Sequence, residues 1–105
     1  MREYDFIYDF RKNRAIVRLD DKLGVIDLDG KEIVPPKYDE IYDYQEGRAI
    51  VRLDDKYGVI DRSGKEIVPI IYDYIGDFKE GRARVKLDGK YGVIDGDGNI
   101  IEELK

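Results

Sequence analysis

The chain has 105 residues, 42% hydrophobic and 41% charged, with a net charge of −5. That is enough for one small domain or one short array, and the frequent β-branched and aromatic residues exclude a disordered chain. With no Cys and no His, disulfides, thiolate metal sites and the usual nucleophile–base pairs are excluded as well.

Met1-Arg2-Glu3-Tyr4-Asp5 opens the chain without an apolar h-region, so no signal peptide is expected in it. No apolar run approaches the roughly 18 residues of a membrane span. Neither observation fixes a compartment. From Tyr4 onward the chain aligns on itself at a shift of 34 residues, giving copies 4–37, 38–71 and 72–105 of a single repeat domain spanning 1–105. The first two copies agree at 24 of 34 positions, which is far above chance.

A 34-residue period by itself suggests a helical repeat, but the residues contradict it. Ala49, Val51 and Leu53 alternate with Arg48, Arg52 and Asp54, a period of two. The apolar residues are mainly Val, Ile and Tyr, and Gly47, Gly58 and Gly64 leave little uninterrupted helix.

In chain order, the middle copy predicts a first strand over 48–53 and a tight connection at Asp54-Asp55-Lys56. The equivalent Asp88-Gly89 favours a type I′ hairpin. A second strand follows over 57–61, then a turn at Arg62-Ser63-Gly64. A third strand over 65–69 is expected to end at Pro69, which cannot donate to a ladder. Tyr72-Asp73-Tyr74-Ile75 is either a short fourth strand or an ordered connector. One unit position holds Asn13, Gly47 and Gly81, so positive φ is expected there.

The ends depart from the unit. Glu102, Glu103 and Lys105 stand where the middle copy has Val68, Pro69 and Ile71, as protection of a terminal face requires. Tyr4, Phe6, Ile7, Tyr8 and Phe10 have no such protection and are expected to fold back onto the first copy's own strands.

Lys56-Tyr57-Gly58-Val59-Ile60-Asp61 and the run from Tyr72 to Ala83 resemble the WG (KWG) repeat of bacterial proteins, and the resemblance covers all three copies. It implies a β-rich tandem repeat and almost no biochemistry. The Trp that names the family is replaced by Leu23, Tyr57 and Tyr91, a site expected to be mostly buried. Complete tiling and high copy identity also fit a consensus or designed array, and a recent natural duplication would look the same.

Chemistry has few places to reside. Ser63 reads as a turn former, and Asp61, Glu66 and Asp73 are the acids that carboxylate catalysis would draw on. Asp95-Gly96-Asp97-Gly98-Asn99 opens like a calcium loop, but Ile100 occupies the position that needs Gly, so it reads as a hairpin turn. No copy is basic and no phosphate-cradling Gly motif is present, so neither nucleic acid nor a membrane is an expected partner. No enzyme, cofactor or metal site is expected.

The recurring Asp39, Asp43, Arg48, Asp54, Lys56 and Asp61 read as inter-repeat ion pairs and turn bonds; a ladder of binding sites is the alternative. Tyr42, Tyr44, Tyr74 and Phe78 are the candidate surface contacts for a peptide or glycan.

The expected fold is all-β: three tandem antiparallel meanders in a curved or twisted array. The alternative is propeller-blade packing that closes by oligomerisation. The expected function is a non-catalytic scaffold that holds a protein or glycan; the alternative is a purely structural or engineered array without a ligand. An open monomer is expected, with a homo-oligomer as the alternative.

Overall fold

The computed structural model describes residues 3–8, 10 and 13–105. The first sheet contains β1 (Phe6–Ile7), β2 (Arg14–Leu19), β3 (Lys22–Asp27) and β4 (Glu32–Tyr38). The second contains β5 (Glu40–Ile41), β6 (Arg48–Leu53), β7 (Lys56–Asp61) and β8 (Glu66–Tyr72). The third contains β9 (Tyr74–Ile75), β10 (Arg82–Leu87), β11 (Lys90–Asp95) and β12 (Ile100–Glu102). Each sheet is an antiparallel meander whose strands lie in chain order.

The turns set the register. Asp54-Asp55 (φ 52° and 68°) and Asp88-Gly89 (φ 52° and 79°) are left-handed at both central residues, the type I′ geometry whose twist matches the flanking strands. Asn13, Gly47 and Gly81 have φ of 66°, 77° and 77°, as their shared unit position requires. The Asp61 carboxylate closes the other turn, with its Oδ1 accepting from the N–H groups of Ser63 (2.9 Å) and Lys65 (3.0 Å). Asp95 does the same for Asp97 and Asn99, both at 2.9 Å, so the stretch that opens like a calcium loop is a hairpin turn.

Two local expectations are corrected or resolved. The third strand does not end at Pro69: β8 runs on to Tyr72. It lies at a sheet edge, where a missing N–H removes no ladder bond. The 72–75 segment is divided between sheets, with Tyr72 ending β8 while Tyr74 and Ile75 pair with Lys86 and Val85 in the next sheet.

The sheets pack through their faces. On the middle sheet Ala49, Val51 and Ile60 pack back against Leu23, Val25, Val34 and Tyr38 of the first. From the opposite face Ile50, Val59, Val68 and Tyr72 pack forward against Ile75, Phe78, Ala83, Val85 and Ile94 of the third. Adjacent residues on one strand therefore serve different interfaces, which is why Ile50 is apolar although it points away from Ala49 and Val51. The result is an elongated array of 46 × 26 × 18 Å.

The site of Leu23, Tyr57 and Tyr91 is where burial departs most from expectation. Leu23 is 8% exposed, Tyr57 is half-buried and Tyr91 is 52% exposed. These side chains project forward, and Tyr91 lies on a face of the third sheet that neither of the other two sheets covers. At the other end β1 does fold back onto β2, pairing Phe6 with Arg18 and Ile7 with Val17. Tyr4 packs beside Ala15, Val17 and Ile26 and donates to Glu32 at 2.7 Å. The side chains of Phe6, Ile7, Tyr8 and Phe10 nevertheless remain exposed, because backbone pairing at an edge does not cover a face.

Tyr38 joins the first interface through both its ring and its hydroxyl. Burial, and then the Glu66 carboxylate that the hydroxyl meets from the second sheet, push it up to about 12 from an ordinary 10.0. The folded protein therefore holds that proton more tightly than the unfolded chain does. Its contribution is complete below pH 10 and is lost as pH rises through about 12. In a series of urea midpoints, Tyr38→Phe should flatten the decline between these pH values; an unchanged slope would show that Tyr38 plays no part in it.

Candidate functional site

A shallow groove of about 300 Å³ runs along the seam between the first two sheets. Tyr8, Ile16 and Leu23 line one side, and Glu40, Ile41, Tyr42 and Asp43 line the other. Its tyrosines occupy equivalent places, since each follows the short first strand of its sheet. The Tyr8 N–H donates to the Ile16 carbonyl and the Tyr42 N–H to the Ile50 carbonyl, both at 2.9 Å. The backbone is therefore fixed while both rings stay exposed. Phe6 packs edge-on against Tyr8 with centroids 4.6 Å apart, and the Arg52 guanidinium lies 3.8 Å from Glu40.

Such a groove offers two aromatic faces, a carboxylate rim and an apolar floor. It suits a ligand with one flat or aliphatic face and hydroxyl or cationic groups at its edge. The seam between the second and third sheets differs, because Gly76 replaces Tyr42 and Tyr74 replaces Glu40. There Tyr74 meets Tyr57 edge-on at 6.1 Å.

The four candidate contact residues therefore separate. Tyr42 lines the groove, and Tyr74 is exposed at the other seam. Tyr44 is half-buried against the first interface, and its hydroxyl donates to the Asp61 carbonyl at 3.3 Å. Phe78 is 4% exposed and belongs to the core between the second and third sheets, so it is no surface contact. Two residues that complete the groove were read differently from the sequence, Tyr8 as part of the end that folds back and Asp43 as one of the recurring charges. A copy-to-copy comparison carries the signal for the tyrosines, as Tyr8 and Tyr42 stand where the third copy has Gly76.

The recurring charged residues hold the sheets together. Lys22 pairs with Asp39 and Lys56 with Asp73, each joining a hairpin to the linker that opens the next sheet. These hydrogen bonds hold Asp39 and Asp73 below the usual carboxylate range and raise both lysines. Arg14 Nε donates to the Arg62 carbonyl at 3.2 Å, and Arg48 Nε donates to the Gly96 carbonyl at 2.6 Å. Asp61 serves its own turn, Glu66 meets Tyr38 and Asp73 holds Lys56, so the three acids work in separate places. Among the described residues, no three His, Cys, Asp or Glu side chains converge as a metal site would require.

The family model described as WG containing repeat matches residues 2–22, 24–57 and 57–91. The chain belongs to the WG containing repeat family. No curated protein and no solved structure matches it. The matched segments are out of phase with the sheets, since residues 24 and 57 fall within β3 and β7. A tandem unit has no intrinsic starting point, and the 34-residue period is the same in either phase.

The structure gives a reason for the glycine of the WG motif. Ladder register shifts beside Gly24 and Gly58, and the last strand of each sheet crosses so closely that a Cβ on Gly58 would lie 2.7 Å from the Val68 carbonyl oxygen. The aromatic position of the motif covers the seam to the next WG sheet, a role that Leu23 and Tyr57 fill here.

Proposed function

We propose that this WG-repeat chain is a non-catalytic interaction module that holds a protein or glycan partner in the groove between its first two sheets. One observation carries the reading: Tyr42 and Glu40 of the groove are specific to that seam, becoming Gly76 and Tyr74 at the next one, whereas the polar contacts that hold the stack recur from copy to copy. A feature needed only for folding would be expected at both seams. Tyrosines with hydrogen-bonded backbones and exposed rings offer contact area at little cost in ordering.

An NMR titration with two probes tests this, using an octalysine peptide for the acidic rim and cellohexaose for the aromatic faces. Saturable shifts confined to the amides around Tyr8 and Tyr42 are expected with one of them. Tyr42→Ala should weaken that binding by about 2 kcal/mol, the scale of an interfacial hot spot, without lowering the unfolding midpoint. No saturable shift with either probe would favour a purely structural array, a reading supported by the polar contacts that recur along the stack.

A further inference from the structure

The two ends of the array carry parts of the interface that is made twice inside it; Ala15, Val17 and Ile26 are already buried beside Tyr4, and the open part of the first sheet's face is its edge. At the receiving positions Ile41 and Ile75 are 5% and 3% exposed, whereas Ile7, the same position on the first sheet, is 49% exposed. Phe10 is likewise exposed although its counterpart Phe78 lies in the core. On the donating side the third sheet presents Tyr91 and Val93, the counterparts of Leu23 and Val25, along an open groove of about 330 Å³.

The polar contacts match as well. Asp39 Oδ2 accepts from the Asp54 N–H and Asp73 Oδ2 from the Asp88 N–H, both at 2.9 Å, leaving Oδ1 to the lysine of the preceding hairpin. Asp5 is set in the same way, its Oδ2 accepting from the Asp20 N–H at 2.9 Å. The lysine at the matching position is Lys90, on the exposed hairpin at the far end of the molecule. Arg82 corresponds to Arg14 and Arg48, and the Leu28 carbonyl corresponds to the carbonyls of Arg62 and Gly96 that those arginines meet.

We propose that the outer face of the first sheet is a docking surface for the third sheet of a second copy, stacked head to tail in the register of the internal interfaces. Lys90 of one copy meets Asp5 of the next, Arg82 meets the Leu28 carbonyl, and Tyr91 and Val93 cover Ile7 and Phe10. The surface is separate from the seam groove and extends the stack by three sheets per copy. One feature limits its strength. The internal cross-strand rows Ile16–Val25–Val34 and Ile50–Val59–Val68 become Arg84–Val93–Glu102 on the third sheet, placing two charges where the internal interfaces are apolar. Docking is therefore weak and reversible, and these two charges restrain growth into a filament.

Sedimentation of the full chain over a hundredfold concentration range at low salt tests the proposal. The weight-average mass should rise above 12.3 kDa at the concentrated end. Asp5→Lys and Lys90→Asp should each weaken association at least about tenfold by placing like charges together. The double variant D5K/K90D should restore it, and Arg84→Ile with Glu102→Val should strengthen it more than about tenfold by completing the apolar row. All the changed residues are exposed or partly exposed, and unchanged unfolding midpoints would confirm that each variant folds. A mass of 12.3 kDa at every concentration, even with the apolar row completed, would overturn the proposal. So would a loss with D5K but not with K90D, because that would mean first sheets docking on each other, or a failure of the double variant to restore association.

Discussion

Gly24→Ala should be among the most damaging single substitutions in the chain, at about 3 kcal/mol or more in urea unfolding. A Cβ there would lie 2.4 Å from the Val34 carbonyl oxygen, 2.8 Å from the Pro36 nitrogen and 2.9 Å from the Pro35 carbonyl carbon. All three are backbone atoms, so no side chain can rotate away. Relief requires β4 to separate from β3, and β4 carries Val34 and Tyr38, two buried members of the first interface. Gly47→Ala is the control. Among the described residues nothing lies within 4 Å of its added Cβ, and the expected cost is that of the left-handed φ of 77°, about 1–2 kcal/mol. Equal losses for the two variants would mean that strand crossing does not explain the glycine of the motif.

Ile60→Ala should lose about 2–5 kcal/mol and Ile60→Val about 0.5–1.5 kcal/mol, the usual costs of truncating a fully buried aliphatic side chain. Ile60 is completely buried opposite Ala49 and packs on the first sheet, so the cavity would open at a sheet–sheet interface and not within one meander. For a domain stable by about 5–15 kcal/mol that is a large fraction. Ile101→Ala, on the exposed terminal strand, should cost less than about 0.5 kcal/mol. Comparable losses at Ile60 and Ile101 would show that face-to-face packing contributes little.

The strands and turns were legible because their causes are local. Alternation over 48–53 and the Asp-Gly pair at 88–89 specify a hairpin wherever they occur. The charged ladder was legible as inter-repeat bonding because recurrence in every copy is what a stacked array demands. What the sequence concealed depends on position in the stack. Leu23, Tyr57 and Tyr91 occupy one unit position, but only the first two lie against a neighbouring sheet. Phe10, Tyr44 and Phe78 differ in whether a sheet precedes, so Phe78 looks like a surface aromatic although it is core. β8 passes Pro69 because it lies at an edge, which no local pattern announces. The groove is formed by residues 34 positions apart, Tyr8 and Tyr42, and becomes visible only when neighbouring copies are placed side by side.

Native-state amide hydrogen exchange followed by NMR tests most directly the claim that stacked faces, and not three separate meanders, stabilise this protein. The middle sheet is covered on both faces, so the ladder amides of β6 and β7 should exchange slowest, and only through global unfolding. Those of β1 and β12, short edge strands on the end sheets, should exchange fastest. Ile60→Ala should then speed exchange in the β6 and β7 amides by the full factor of its global destabilisation, and raise the slowest rates of the two end sheets with them. Equal protection across the three sheets in the wild type, or an Ile60→Ala effect confined to the second sheet, would contradict the account.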